Sequence, residues 1–284
     1  MTASQTARRM WTLFEPLHDV TYFAAEARAA FEAAGLRGFW RGYFAGRSAP
    51  LGRISAAPVT ASFYTFAPAM VSRALPAVWD IASPQDALRA REAGAVVALS
   101  RMLAGQVDAV HTAADKLTQA AAGLDCSGRV LAGANAVLPV PDEPFARLWH
   151  AATVLREHRG DGHFAALVAA DVDGCESIVL RSGIDLPRQT LQPIRGWSDE
   201  QWESAAARLA SRGLVNEDGK ATADGVALHA FIEQTTDAAA ARPWHNEDLA
   251  AAVADALRPI ALVCSAELPA LNPVGVPTPE GTGP

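Results

Sequence analysis

The sequence lacks the signatures of the commonest enzyme classes. It contains no Gly-x-x-x-x-Gly-Lys phosphate loop, no Gly-x-Gly-x-x-Gly fingerprint, no Gly-x-Ser-x-Gly elbow and no His-Glu-x-x-His motif. It has only three cysteines, which are far apart, and this scatter argues against both a disulfide framework and a zinc site. No uninterrupted apolar run approaches the roughly 20 residues that span a bilayer, and the first residues do not resemble a signal peptide. The sequence therefore predicts a cytoplasmic protein with no membrane partner.

What is present favours helices. Half of the 284 residues are hydrophobic and only 19% are charged, so the chain can bury a substantial core. Alanine-rich stretches favour helix over strand. We expect an all-α, mainly helical fold, with an irregular segment at 36–52.

The pattern of helices and breakers predicts three parts: an N-terminal helical domain (1–124), a winged-helix-like module (125–245) and a C-terminal helix with a loose tail (246–284). In the module, a helix over 145–158 should end at Gly160 and Gly162. A later helix, 199–212, should start at a capping box on Ser198. A turn at Asp218-Gly219 then predicts a small two-stranded wing, followed by a helix that Thr222 caps.

Two resemblances point the same way. The run Leu209-Ala210-Ser211-Arg212-Gly213-Leu214-Val215, followed by Gly219 and Thr222-x-x-Gly225, resembles the end of the recognition helix and the wing of MarR-like winged-helix proteins. The whole chain resembles a group of actinobacterial helix-turn-helix-type proteins. The segments that carry this second resemblance are Glu15-Pro16-Leu17-His18, residues 155–163 and Arg195-Gly196-Trp197. The resemblances imply a winged-helix-like C-terminal half.

The charges of that half disfavour DNA as a partner, although a helix-turn-helix leaves it open. The expected recognition helix begins with Asp199, Glu200 and Glu203, and the wing has three acids and only Lys220. Carboxylates at these places would be repelled by DNA phosphates. The net charge of −7 also argues against nonspecific binding of nucleic acid.

The segment 36–53 is rich in arginine and aromatic residues, and no acid occurs between 33 and 79. Guanidinium groups without nearby carboxylates can bind an anion, and aromatic rings can stack on a flat ligand. We therefore predict a pocket for an anionic or aromatic small molecule, lined by Arg37, Trp40, Arg41, Tyr43, Arg47 and Tyr64. The alternative is an aromatic core whose arginines are solvated or paired with acids elsewhere.

Two histidine-containing segments are candidates for chemistry. Glu15-x-x-His18 is half of a di-iron pattern, and no second copy exists, so His18 is a haem-ligand or general-base candidate, or a hydrogen-bonded core residue. The segment 157–163 places His158, Asp161 and His163 close together as acid–base candidates. The alternative for Asp161 is structural, as the cap of a new helix that starts at His163 after the two glycines.

The leading function from the sequence is a small-molecule-binding protein with a winged-helix-like module, coupled or not to transcription control. The alternative is a haem- or metal-assisted enzyme that uses His18 or the 157–163 segment, with His18, His158, Asp161 and His163 as its catalytic candidates. A homodimer is left open. The sequence identifies neither a cofactor nor a metal.

Overall fold

The computed structural model describes residues 1–269, 272–275 and 279, and this part of the chain is built from helices. Three short 3-10 helices, Ala49–Leu51, Ala77–Asp80 and Arg242–Trp244, connect longer elements. The α-helices are α1 (Ala3–Phe23), α2 (Ala25–Ala33), α3 (Phe39–Ser48), α4 (Ala56–Phe63), α5 (Pro68–Ser72), α6 (Pro84–Met102), α7 (Val107–Ala121), α8 (Val130–Ala136), α9 (Pro144–Ala169), α10 (Gly174–Ser182), α11 (Arg188–Arg195), α12 (Asp199–Ser211), α13 (Ala223–Ala239) and α14 (Glu247–Glu267). The expectation of a mainly helical fold is confirmed.

Helix α9 is the centre of the molecule. Pro144 occupies its first turn, and the Glu143 carboxylate accepts a hydrogen bond from the Ala146 amide at 2.7 Å, which fixes its start. The helix is buried on nearly every side, because α1, α6, α7, α8 and α13 pack around it.

The predicted break in α9 was wrong, since the helix continues through Gly160 and Gly162 for a total of 26 residues. Burial against five helices outweighs the roughly 1 kcal/mol that each glycine costs. Gly162 instead makes room: a Cβ there would lie 2.6 Å from Nη1 of Arg129, which donates to the carbonyl of His158.

Helices α1, α6, α7, α9 and α14 share one hydrophobic core, so α9 and α14 pack with the N-terminal helices. By length and composition α14 is long and apolar enough to cross a membrane, with a mean hydropathy of 1.6 over its most apolar stretch, although Asp255 and Arg258 interrupt it. Its buried side chains recur every three or four residues and pack on α1 and α7. In this structure α14 is a core helix.

A second core lies beside the first and contains α3, α4 and α5 with part of α6. The segment 36–52, expected to be irregular, contains α3. Its Gly42 and Gly46 pack against Phe31, where an added Cβ would come within 2.9 and 2.5 Å of ring atoms. Trp40 lies on the side of α3 away from the two glycines, and Tyr43 lies between the two sides. Both are partly buried against the second core.

Helices α10, α11 and α12 form a third core. The two-stranded wing predicted after α12 was wrong: the described part of the chain contains no strand, and the only pairing there is an isolated bridge between Val215 and Ala221. α12 ends at Ser211 and Thr222 already caps α13, so few extended residues remain outside the bridge in which a ladder could propagate. Thr222 does cap α13, accepting a hydrogen bond from the Gly225 amide at 3.1 Å.

Candidate ligand cavity

A cavity of about 560 Å³ lies between the N-terminal helices and α10–α11, and residues 273–275 line part of it. This volume is typical of a site for a small organic molecule. Most of its surface is apolar. The aromatic side chains that line it are Trp11, Tyr22, Phe23, Phe39, Trp40, Tyr43, Phe63, Phe66 and Phe164.

One wall is a packed aromatic cluster. The ring centroid of Tyr43 lies 5.5 Å from that of Phe66 and 5.7 Å from that of Trp40, and Trp40 lies 6.0 Å from Phe66. The rings are tilted or edge-to-face, which is the favourable geometry for aromatic pairs. A flat apolar ligand can therefore contact a preformed aromatic surface.

A buried ion-pair network supports this wall. Arg47 donates from Nε to Oε1 of Glu157 at 2.9 Å and from Nη2 to Oε2 at 3.0 Å. Arg156 bridges the same carboxylate to Glu15, with Nε 3.2 Å from Oε1 of Glu15. Burial alone would raise the pKa of Glu157, but Arg47 and Arg156 outweigh it and hold the pKa well below the ordinary value. Arg47 lines the cavity but is already paired.

The opposite wall carries a second, balanced network. Arg8 donates to Glu233 at 2.6 Å and to Asp237 at 2.8 Å, and Arg159 contacts the same two carboxylates at 3.3 and 3.1 Å. Burial would raise the pKa of Glu233, but His163 and the two arginines lower it to about 2. Two guanidinium groups therefore face two carboxylates, and this wall adds no net charge.

His163 lines the cavity from the interior of α9, so the prediction that it occupies a helix start was wrong. The Thr236 hydroxyl donates to the carbonyl of Ile232 at 2.8 Å, so its oxygen accepts from Nδ1 of His163 at 3.0 Å. Burial lowers the pKa of His163 to about 4. The ring is neutral at pH 7, and Nε2 carries its lone pair.

His18 lies behind Tyr22, and both of its ring nitrogens are hydrogen-bonded. The Thr153 hydroxyl donates to the carbonyl of Trp149 at 2.8 Å, so it accepts from Nδ1 of His18 at 2.9 Å. Burial and the neighbouring Arg156 hold the pKa of His18 well below its ordinary value, and Nε2 accepts from the Tyr22 hydroxyl at 2.9 Å. A haem or metal would have to displace Tyr22. Within the residues that the structure describes, no group of three or more His, Cys, Asp or Glu could hold a metal ion.

Asp161 and His158 face α8 and the segment before it. Oδ2 of Asp161 accepts from the amides of Leu131 and Ala132, both at 2.9 Å, so Asp161 caps α8. The prediction that it caps a helix starting at His163 was wrong, because α9 continues through both residues. Burial raises the pKa of Asp161 to about 6 and lowers that of His158 to about 4. Neither residue lines the cavity.

The predicted ligand residues separate into three sets. Arg37, just before α3, and Arg41 of α3 are exposed, and Arg41 donates to the Arg37 carbonyl at 3.4 Å. Tyr64 lies just behind the cavity, donating to the carbonyl of Val172 at 2.7 Å and stacking on Phe164. The three that line the cavity are Trp40, Tyr43 and Arg47.

The sequence analysis missed cavity residues that come from distant elements. These are chiefly Trp11 of α1, Phe66 of the loop after α4, Arg156 and Arg159 of α9, and Arg195 of α11. One signal was present, because Arg156, Arg159 and Arg195 belong to the segments that carry the resemblance to helix-turn-helix proteins.

Helices α11 and α12 are joined by a three-residue turn, which is the connectivity of a helix-turn-helix. The turn is Gly196-Trp197-Ser198, and Gly196 has a left-handed backbone with φ of 77°. A Cβ at Gly196 would also lie 2.6 Å from Cβ of Met70, so a side chain is excluded twice. The Ser198 hydroxyl accepts from the Gln201 amide at 3.2 Å and completes the predicted capping box.

The outer face of this motif is acidic where α12 begins. Asp199, Glu200 and Glu203 are all exposed. Arg188 bonds Asp199 at 2.9 Å and Glu203 at 2.5 Å, which neutralises part of their charge. The surface at this helix start stays net negative.

A family model described as a helix-turn-helix family matches residues 7–269, which include both the N-terminal core and the α11–α12 motif. No curated protein and no solved structure matches the chain.

Proposed function

Because the chain belongs to this helix-turn-helix family, we propose that it is a regulator-type protein that binds a small planar ligand beside its helix-turn-helix. Family membership suggests DNA as a partner. The proposal of a ligand is supported by the cavity of about 560 Å³. The aromatic face of α3 and helix α11 both contribute to its wall. The contributions of α11 are Leu191, Ile194 and Arg195.

Hydrogen bonds on both sides of Phe66 connect the ligand cavity to the helix-turn-helix. The Ala67 amide donates to the Arg195 carbonyl at 2.9 Å, and the indole of Trp197 donates to the Thr65 carbonyl at 2.9 Å. The turn of the helix-turn-helix is thus bonded to the residues on both sides of Phe66. A ligand that repositions Phe66 acts on the bonds that hold the turn.

Two neighbouring residues of α3 provide a matched test. Trp40 faces the cavity, while Arg41 is exposed on the outer side. The probes are 2-naphthoate and 2-naphthamide, which are planar and nearly equal in size. Trp40→Ala should weaken binding of both, measured by isothermal titration calorimetry, by about tenfold or more, because it removes aromatic contact area. Arg41→Ala should leave both affinities within about twofold of the wild type. Equal effects of the two substitutions, or no binding of either probe to the wild type, would contradict the proposed function.

We propose further that the motif holds DNA only weakly. The acidic start of α12 would lie against phosphates, and each carboxylate there opposes binding. A gel shift at low salt with genomic fragments should show only weak complexes. The triple change of Asp199, Glu200 and Glu203 to their amides should strengthen them. Submicromolar, sequence-dependent and salt-sensitive binding by the wild type would overturn this part of the proposal.

A further inference from the structure

Six arginines line the cavity, and five of them are matched by carboxylates. Arg8 and Arg159 share Glu233 and Asp237, Arg47 and Arg156 share Glu157 and Glu15, and Arg181 bonds Asp185 at 3.3 Å. These five guanidinium groups meet five carboxylates, so their charges cancel. The two cavity histidines add no positive charge at pH 7, because burial lowers the pKa of both His163 and His229.

Arg195 is the exception. In the described part of the chain it has no carboxylate partner, and its buried Nε has no hydrogen-bond acceptor. Its single polar contact there is a long one, from Nη2 to the carbonyl of Pro273 at 3.4 Å. The guanidinium stacks on Phe66, with Cζ 4.5 Å from the ring centroid. One face of the group is therefore fixed by the aromatic wall, while most of its donors are unused.

A guanidinium group without a counter-ion in this position destabilises the protein when the cavity is empty. Burial and three neighbouring arginines lower the pKa of Arg195, to about 10, which still leaves the group charged at neutral pH. Arg195 is partly buried, and its fully buried Nε has no acceptor, so the empty protein leaves this charged group short of hydrogen-bond partners, which is unfavourable unless something compensates it. The compensation that fits is a single negative charge supplied from the cavity.

We propose that Arg195 binds the anionic group of the ligand, and that the ligand of this cavity is a planar aromatic monocarboxylate. The carboxylate would accept two parallel hydrogen bonds from the guanidinium fork. A doubly charged group would exceed the single unmatched positive charge. The aromatic part of the ligand would lie against Tyr43 and Trp40. This inference rests on the proposed function, because it names the chemical class of the ligand that the cavity holds.

Arg195 lies where the cavity meets the turn between α11 and α12, so a charged ligand that binds it would act on this turn. Arg195 is the last residue of α11, and Gly196 follows it in the left-handed turn of the helix-turn-helix. Its Nη2 also contacts the chain at Pro273, which lines the cavity. A carboxylate that binds Arg195 competes with this weak contact and acts directly at the end of the motif's first helix.

The test compares a charged with a neutral probe on matched variants. Wild-type protein should bind 2-naphthoate at least about tenfold more tightly than 2-naphthamide at pH 7, because charge-assisted bidentate hydrogen bonds are among the strongest. Arg195→Gln should remove this preference, weakening 2-naphthoate by about 10- to 100-fold and leaving 2-naphthamide within about twofold. Arg41→Gln, which changes an exposed arginine of α3, should preserve it.

Each outcome decides between the claims. If neither probe binds wild-type protein, the cavity proposal and this inference both fail. If both probes bind equally and Arg195→Gln changes neither, the cavity proposal stands and the role of Arg195 is refuted. If Arg195→Gln does not fold, the wild-type comparison alone decides, because equal affinities for the two probes refute a bound carboxylate.

Discussion

Glu157→Gln is the sharpest perturbation of the buried network behind the aromatic wall. Glu157 and Arg47 have side chains that are only 1% and 5% exposed, and the carboxylate receives three hydrogen bonds from Arg47 and Arg156. The amide keeps the shape but removes the charge, so Arg47 becomes a buried cation without its counter-ion.

Breaking a buried ion pair from one side costs about 3–5 kcal/mol. For 284 residues, an unfolding entropy of roughly 2.1 cal/mol/K per residue amounts to about 0.6 kcal/mol/K, so the melting temperature should fall by roughly 5–8 °C. Differential scanning calorimetry at pH 7 measures this directly.

The matched control is Glu267→Gln. Glu267 also bonds an arginine through both oxygens, but its side chain and that of Arg101 are 42% and 49% exposed. Exposed pairs contribute about 0–1 kcal/mol, so the melting temperature should change by no more than about 2 °C. If the two substitutions lower it equally, Glu157 is not the counter-ion on which Arg47 depends.

Three further predictions concern α9 and are checked by chemical denaturation. Gly162→Ala should destabilise the protein by about 1–3 kcal/mol, because the new Cβ meets Nη1 of Arg129 at 2.6 Å, whereas Gly160→Ala, with 3.8 Å of space, should be neutral or stabilising. At pH 7 Asp161→Asn should leave stability unchanged, because the amide oxygen still accepts from the α8 amides and the substitution removes a carboxyl group whose pKa burial raises to about 6. Asp161→Ala, which removes the acceptor, should cost about 1–2 kcal/mol. Burial lowers the pKa of His158 from 6.5 to about 4, so the folded state binds fewer protons than the unfolded state between these values. Stability should be complete above about pH 6.5 and decline towards pH 4, less steeply in His158→Gln. Contrary results would be a tolerated Gly162→Ala, an unstable Asp161→Asn, or unchanged steepness in His158→Gln.

Local signals in the sequence predicted the local structure. The capping box at Ser198 and the cap at Thr222 depend on side chains three residues from the amides that they bind, and both are confirmed. The break at Gly160 and Gly162 was wrong because the reason for Gly162 lies more than thirty residues away, at Arg129. No pattern in the surrounding sequence indicates that approach.

In the aromatic segment 36–53, helical periodicity decides which side chains face the cavity and which are exposed. Its composition predicted a ligand site, but treating 36–52 as irregular gave no means of separating Trp40 and Tyr43 from Arg37 and Arg41. Once the segment is a helix, positions 40, 43 and 47 share one face and position 41 lies on another. Arg195 lies outside the segment, and only the fold brings it to Phe66.

The distribution of charge in this chain separates two kinds of anion. DNA would require positive charge at the start of α12, where the exposed side chains Asp199, Glu200 and Glu203 are acidic. A small carboxylate requires one unmatched positive charge inside an apolar cavity, and Arg195 supplies it at the end of the preceding helix. The two sites are separated only by the turn Gly196-Trp197-Ser198. Neutralising Arg195 from within the cavity therefore changes the electrostatics of the motif where its two helices meet, so any DNA binding that the motif retains is expected to depend on the ligand's charge as well as on its shape.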